Sequence, residues 1–315
     1  MWSALARSRG PGHLIAMILP SAWRGWRTHI LSPLLGAVAG RGPGARSLAR
    51  AADQYPGALA SSEQAADKAR ALGFRVDSGW TFRQRLAAAL DRQDNFSRLL
   101  RRPLGTAARL TVKGAWPKEP FVALGLHWGA GFPVLDHLLR AGRQPAFVYR
   151  PEDPATFDRV PQRLQDRLHL RALNSFGHCI RVGGAYRKIT AALSEGHVPV
   201  ALIDAPVAGK AQTLTVDREQ FRITLRSGMF KLLAEHKVPM VWFRCGQAVS
   251  ASSRPTARLL QISPLFHADS AEVIAQEAAS FLLDTLQHDA AQWHLWPVAE
   301  QLIESRSSIS GLKVE

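Results

Sequence analysis

The sequence predicts an α/β fold: a largely parallel central sheet flanked by helices, with an N-terminal helical extension that associates with membranes. Three observations predict it. From residue 118 onward, short apolar runs alternate with segments of helical period, the pattern of parallel strands joined by crossover helices. Hydrophobic residues make up 46% of the 315 and charged residues 21%, the balance of a chain that folds. No stretch approaches the roughly 20 apolar residues of a spanning helix, so any membrane contact is peripheral.

The elements follow in order. Residues 14–19 and 30–39 are apolar runs, stopped by Pro20 and interrupted by Pro33 and Gly36. Both are too short for a span, and too proline-broken for a cleaved signal peptide. Between them, Trp23 and Trp26 interleave with Arg24 and Arg27. Indole rings at a headgroup boundary and guanidinium groups on phosphate suit a membrane interface; a helical pair packed on the core is the alternative. Residues 40–46 are rich in Gly, Pro and Arg and read as a loop. Residues 1–46 therefore read as a basic amphipathic interface segment. Residues 47–117 read as a helical region packing on the core, with helices at 65–72 and 81–90 punctuated by Gly73 and Ser78-Gly79. Arg98, Arg101 and Arg102 form a basic cluster before Pro103, read as a solvated face.

Residues 118–304 carry the α/β pattern, and 305–315 a tail. Strands are predicted at 121–126, 145–149, 178–182, 198–203, 238–244 and 257–263. Helices are predicted at 133–140, with Pro133 at an early position, at 157–173, at 185–195 before Gly196, at 227–236 and at 270–288. Residues 212–217 and 220–225 read as a polar hairpin.

The formal net charge of +15 and a pI near 10.9 favour anionic partners: lipid headgroups, nucleic acid or an acidic carrier protein. No nucleic-acid motif occurs, and the basic residues are spread through the chain. Cys179 and Cys245 lack metal spacing and read as apolar residues in a reducing compartment. The remaining histidines show no close ligand spacing, so no metal is expected.

In an open α/β sheet the site lies beyond the strand carboxyl ends. His127, Arg150 and Asp204 all fall there. A buried carboxylate such as Asp204 needs a partner, which Arg150 or Lys210 would supply, either within the site or as a scaffold pair. Gly129-Ala130-Gly131 opens a helix, where free N–H groups cradle an oxyanion or phosphate, unless it is an ordinary tight turn.

Gly125-Leu126-His127-Trp128-Gly129 resembles the histidine block of the lysophospholipid acyltransferase superfamily, in its lipid A biosynthesis (lauroyl/myristoyl) branch. Further segments match in order. They are Val148-Tyr149-Arg150-Pro151, the stretch from Ala191 to Asp204, Gly209-Lys210, the hairpin and helix from Phe221 to Pro239, and Gln292-Trp293-His294-Leu295-Trp296. The match covers roughly residues 118–300. The resemblance implies an enzyme that moves a fatty acyl group from an acyl carrier protein or coenzyme A thioester to a lipid or glycolipid hydroxyl. No cofactor beyond that co-substrate is implied. The location implied is peripheral, on the cytoplasmic face of a bacterial inner membrane. Membrane lipids and acyl carrier protein are the implied partners, and the sequence does not set the oligomeric state.

The chemistry needs a base to take the acceptor's proton, and a histidine with a pKa near ~6.5 suits the task. The resemblance assigns that role to His127. It also implies an acid five residues on, where this chain has Phe132. The nearest carboxylate is Asp136, which reads either as the partner of His127 or as a solvent-facing helix residue. Asn174 stands where the family often has arginine, with Arg171 one turn earlier as a substitute. The substrate-binding set implied is Gly129, Gly131, Arg150, Arg171, Asp204 and Lys210. The alternative to an active enzyme is a catalytically degenerate lipid-binding or assembly protein on the same fold.

Overall fold

The computed structural model describes residues 56–99, 110–149, 170–182, 185–205, 212–248 and 257–306. The interface segment 1–46, the Arg101–Arg102 pair, Arg150 and Lys210 lie outside the described residues. Two helices come first, α1 (Pro56–Ala71) and α2 (Trp80–Leu99), each longer than its sequence pattern predicts. The sheet elements then follow: β1 (Leu110–Lys113), β2 (Val122–Gly125), α3 (Phe132–Arg140), β3 (Pro145–Tyr149), β4 (His178–Arg181), α4 (Ala185–Ser194) and β5 (Val198–Leu202). After them come β6 (Thr213–Arg218), β7 (Phe221–Arg226), α5 (Gly228–Glu235), β8 (Met240–Gln247), β9 (Arg258–Ile262), α6 (Ala271–Asp289) and β10 (Ile303–Ser305).

The main sheet has seven strands in the order β1-β9-β8-β2-β5-β3-β4. Strands β8, β2, β5, β3 and β4 run parallel, while β9 is antiparallel to β8 and carries β1 beside it. The mostly parallel sheet of the sequence reading is therefore present, with an antiparallel edge. The central strand β2 is buried at every position, as a strand covered on both faces must be. Alternate side chains enter two cores: Val122 and Leu124 pack with α6 and α4 on one face, Phe121 and Ala123 with α3 on the other. Helix α6 earns its place through a continuous buried stripe of Ile274, Ala275, Ala278, Ala279, Leu282, Leu283 and Leu286. Ser270 caps it, accepting from the N–H groups of Glu272 and Val273.

The predicted polar hairpin is β6–β7, turning at Glu219 in the left-handed region (φ +47°). Strand β10 extends it into a three-stranded antiparallel sheet. Two strands depart from the sequence reading. Residues 110–113, assigned there to the helical region, form β1, and 303–305 form β10. Both are short edge strands with little buried alternation, so their pattern carries little signal. Helix α1 lies on the turn at 296–301, where Lys68 Nζ reaches Pro297 O at 2.7 Å and Glu300 at 2.8 Å. Its small face of Ala65, Ala66 and Ala69 enters the same core as Trp80 and Trp296. No described helix is long and apolar enough to cross a membrane. Cys245 is buried and Cys179 half-buried, where burial pushes its thiol up to about 11 and keeps it unreactive.

Candidate active site

Strand register brings the site together. β2 pairs in parallel with β5, and Gly125 stands opposite Leu202. Two residues beyond each partner come His127 and Asp204, so the two side chains leave adjacent carboxyl ends side by side. The Ile203 N–H donates to Gly125 O at 2.9 Å and carries the ladder to that edge. There the β2 chain turns sharply: Trp128 N–H donates to Leu126 O at 2.7 Å, a three-residue turn centred on His127.

Asp204 is fully buried, and both oxygens are engaged. Oδ1 lies 2.8 Å from His127 Nδ1. The His127 backbone N–H donates to both oxygens, at 3.0 and 2.9 Å. Trp293 Nε1–H donates to Oδ2 at 2.8 Å. A carboxylate accepts only, so the bond to Nδ1 fixes the proton on that nitrogen and leaves the Nε2 lone pair as the base. The His127 side chain is 36% exposed, and no described group bonds Nε2. Burial opposes the charged ring. The charge and hydrogen bond of Asp204 outweigh it, with a smaller contribution from Asp91, and the pKa rises above the usual 6.5.

The segment after α6 closes the site from the other side. Trp128 and Trp293 form an antiparallel bridge. His294 N–H donates to His127 O at 2.8 Å, and His294 Nε2 lies 2.8 Å from Gly129 O, so that nitrogen carries its proton. Gln292 is fully buried, with Oε1 accepting from Gln247 N–H at 2.7 Å and Nε2 donating to Asp289 at 3.0 Å. Arg83 of α2 reaches the same Asp289 at 3.3 Å and ties the helix to this segment.

Gly129 bridges Cys245 of β8 with φ +67°. A Cβ there would sit 2.2 Å from Cys245 O and 2.5 Å from Gly246 Cα, so only glycine fits. We expect Gly129→Ala to lower stability by more than about 2 kcal/mol, read by chemical denaturation, because left-handed strain and backbone overlap add. The glycine run is less of a cradle than the sequence predicts. Gly129 N–H donates to Gln292 O and Ala130 N–H to Cys245 O. Among the described residues no acceptor takes the Gly131 N–H, which opens α3.

Other sequence-predicted residues stand elsewhere. Asp136 does not meet His127. It lies on α3, one turn before Arg140, and accepts from Arg140 Nε at 2.8 Å. Phe132, at the position of the expected acid, is buried against Phe176, the ring centroids 5.5 Å apart. The helix therefore starts with a core anchor, and the carboxylate comes from the neighbouring strand instead. We expect Asp136→Asn to leave activity unchanged and to alter stability by about 0.5 kcal/mol or less, since one helical ion pair is lost. Arg171 is exposed in the helical segment 170–174 ahead of β4. Among the described residues no hydrogen bond or ion pair links Arg171 to His127. Among the described residues the partners of Asp204 are His127 and Trp293; Arg150 and Lys210, which the sequence offers, lie outside them. Sequence reasoning assigns no role to Trp293, Gln292 or Asp91. Trp293 had a signal, the position of its tryptophan block in the family resemblance. Among the described residues, no group of His, Cys, Asp and Glu is placed to hold a metal ion.

No family model matches the chain, and no curated protein matches it. Among solved structures, it is similar to the 1-acyl-sn-glycerophosphate (LPA) acyltransferase PlsC from Thermotoga maritima. The identity is 14% over 66% of this chain and 84% of that chain, with a TM-score of 0.32.

Proposed function

We propose that the chain is an acyltransferase that moves a fatty acyl group from a thioester to a hydroxyl-bearing lipid or glycolipid, with His127 as general base. The observation that carries this reading is the bond from His127 Nδ1 to a fully buried Asp204, with Nε2 left open at the carboxyl edge of a parallel sheet. In the reaction the acceptor oxygen gives its proton to Nε2 and bonds the thioester carbonyl carbon. Asp204 stabilises the imidazolium that forms. The Gly131 N–H at the head of α3 is the open donor for the oxyanion. The tetrahedral intermediate then breaks its C–S bond, and the thiolate takes the proton back from His127.

The donor is an acyl carrier protein or coenzyme A thioester, and the basic chain attracts either. Trp23, Arg24, Trp26 and Arg27 hold the protein on the cytoplasmic face of the inner membrane. Arg150 and Lys210 belong to the same binding set. The reading as a degenerate relative rests on Phe132. Since Asp204 supplies a carboxylate from β5, that residue no longer favours it.

The test is transfer of a labelled acyl group from acyl carrier protein or coenzyme A to a bacterial lipid extract by the purified protein. Labelled lipid ester is expected; thioester hydrolysis alone, with no labelled lipid, contradicts the reading. The rate depends on neutral His127, so it rises with pH through the raised pKa and then levels. Stability runs the other way. A folded pKa above 6.5 means that the ring's contribution is complete below about 6.5 and is lost as pH rises through the folded value. A transfer rate that fell over this window would contradict the assignment of the base.

A further inference from the structure

A buried indole N–H needs an acceptor, and a neutral backbone carbonyl is enough. Two tryptophans around the site are satisfied in this way: Trp128 Nε1–H donates to Asp289 O and Trp296 Nε1–H to Ala290 O, each at 2.8 Å. Trp293 differs. Its N–H goes to a carboxylate oxygen, Oδ2 of Asp204, at 2.8 Å, and both residues are fully buried. The ring is held in place. It packs edge-on against buried Trp296, the centroids 5.0 Å apart, and its backbone is bridged to Trp128. The donor is thus fixed before any substrate arrives. Asp204 keeps its place without it, because the His127 backbone N–H donates to both oxygens. What the indole adds is electrostatic. Oδ1 lies 2.8 Å from the His127 ring, and in a dry site its undiluted charge would hold a proton on that ring tightly. A donor on Oδ2 draws charge away from Oδ1.

We propose that Trp293 is a positioning residue that sets the strength of the base: by sharing the Asp204 carboxylate with His127, it keeps the imidazole free to take the acceptor's proton near neutral pH. This inference rests on the acyl-transfer reading for the source of that proton. Trp293 acts through Asp204 and takes no proton in the step. Among the described residues, the other titratable groups around His127 are Asp91 of α2, with a smaller electrostatic contribution, and His294, whose backbone bonds His127 O and whose ring bonds Gly129 O. Asp289, beside Trp128, is paired with Arg83. All of these stay the same when residue 293 is changed, so a difference reports the indole N–H.

The experiment uses the full chain with benzothienylalanine at position 293, an isostere of tryptophan with sulfur in place of the N–H, and Trp293→Phe beside it. His127 is titrated by nuclear magnetic resonance. In both variants its pKa is expected to lie above that of wild type, by roughly half to one pH unit. Transfer from palmitoyl coenzyme A to a bacterial lipid extract then loses roughly 3- to 10-fold in kcat on the rising limb of the pH profile, and the deficit closes once the ring is neutral. A merely structural loss would persist at every pH. In Asp204→Asn the same replacements should leave the titration in place, because the shared charge is gone. Wild type supplies a reading that needs no variant: the Trp293 Nε1–H resonance should move with the titration of His127. A higher titration in the variants with no transfer by any of the proteins sinks the acyl-transfer reading and leaves the role of Trp293 in place. A titration that the isostere leaves unchanged or lowers, or an indole resonance that does not follow His127, overturns Trp293.

Discussion

Replacing His127 with alanine is expected to lower the proposed acyl transfer by roughly 10²- to 10⁴-fold, the range for removing a positioned general base. The loss should fall on kcat, because in the proposed step Nε2 acts on the proton in flight rather than on the bound acceptor. The fold survives the change. His127 backbone N–H still donates to Asp204, and Trp293 still holds Oδ2. What is lost is one hydrogen bond to a buried carboxylate, a stability cost of about 1–3 kcal/mol. Circular dichroism of the variant should match wild type, while labelled lipid ester falls to background. Undiminished transfer would remove His127 from the chemistry.

Asp204→Asn is expected to act almost as strongly on rate, and on more besides. The amide no longer stabilises the imidazolium and does not dictate the tautomer, and a loss of roughly 10²- to 10⁴-fold follows. Asp204→Ala goes further. It leaves the Trp293 indole N–H and the His127 backbone N–H buried without an acceptor, so the lost network costs about 3–5 kcal/mol. The two variants separate chemistry from scaffold. Asp204→Asn is folded and slow, while Asp204→Ala also unfolds at lower denaturant. Equal rates in wild type and Asp204→Asn would reduce the carboxylate to a structural group.

The strands around the site were legible because they are short, wholly apolar and bounded by turns. The run before His127 and the run before Asp204 are the two central parallel strands. That each ends in a polar residue at the carboxyl edge was also legible, and it placed both residues in the candidate set. Their pairing was not. It depends on the register Gly125↔Leu202, which is set by long-range packing and leaves no trace in local pattern. Local spacing therefore points to an acid along the chain, at Asp136, where helical turns can be counted. Phe132 shows why local spacing misleads here: its packing against Phe176 fills the place that the local motif reserves for a carboxylate. The contacts of the Gln292-Trp293-His294 clamp were hidden for the same reason, since Trp293 meets Asp204 across 89 residues and His294 meets Gly129 across 165. β1 and β10 were missed as short edge strands without a clear buried face.

The account turns on Asp204 holding Nδ1 so that Nε2 is the base. The most direct test is nuclear magnetic resonance of the His127 imidazole in wild type and in Asp204→Asn, followed across pH. The account predicts a neutral ring protonated at Nδ1 in wild type, with a pKa above 6.5 that falls in Asp204→Asn. A neutral ring protonated at Nε2, or a titration that Asp204→Asn leaves unchanged, would contradict it.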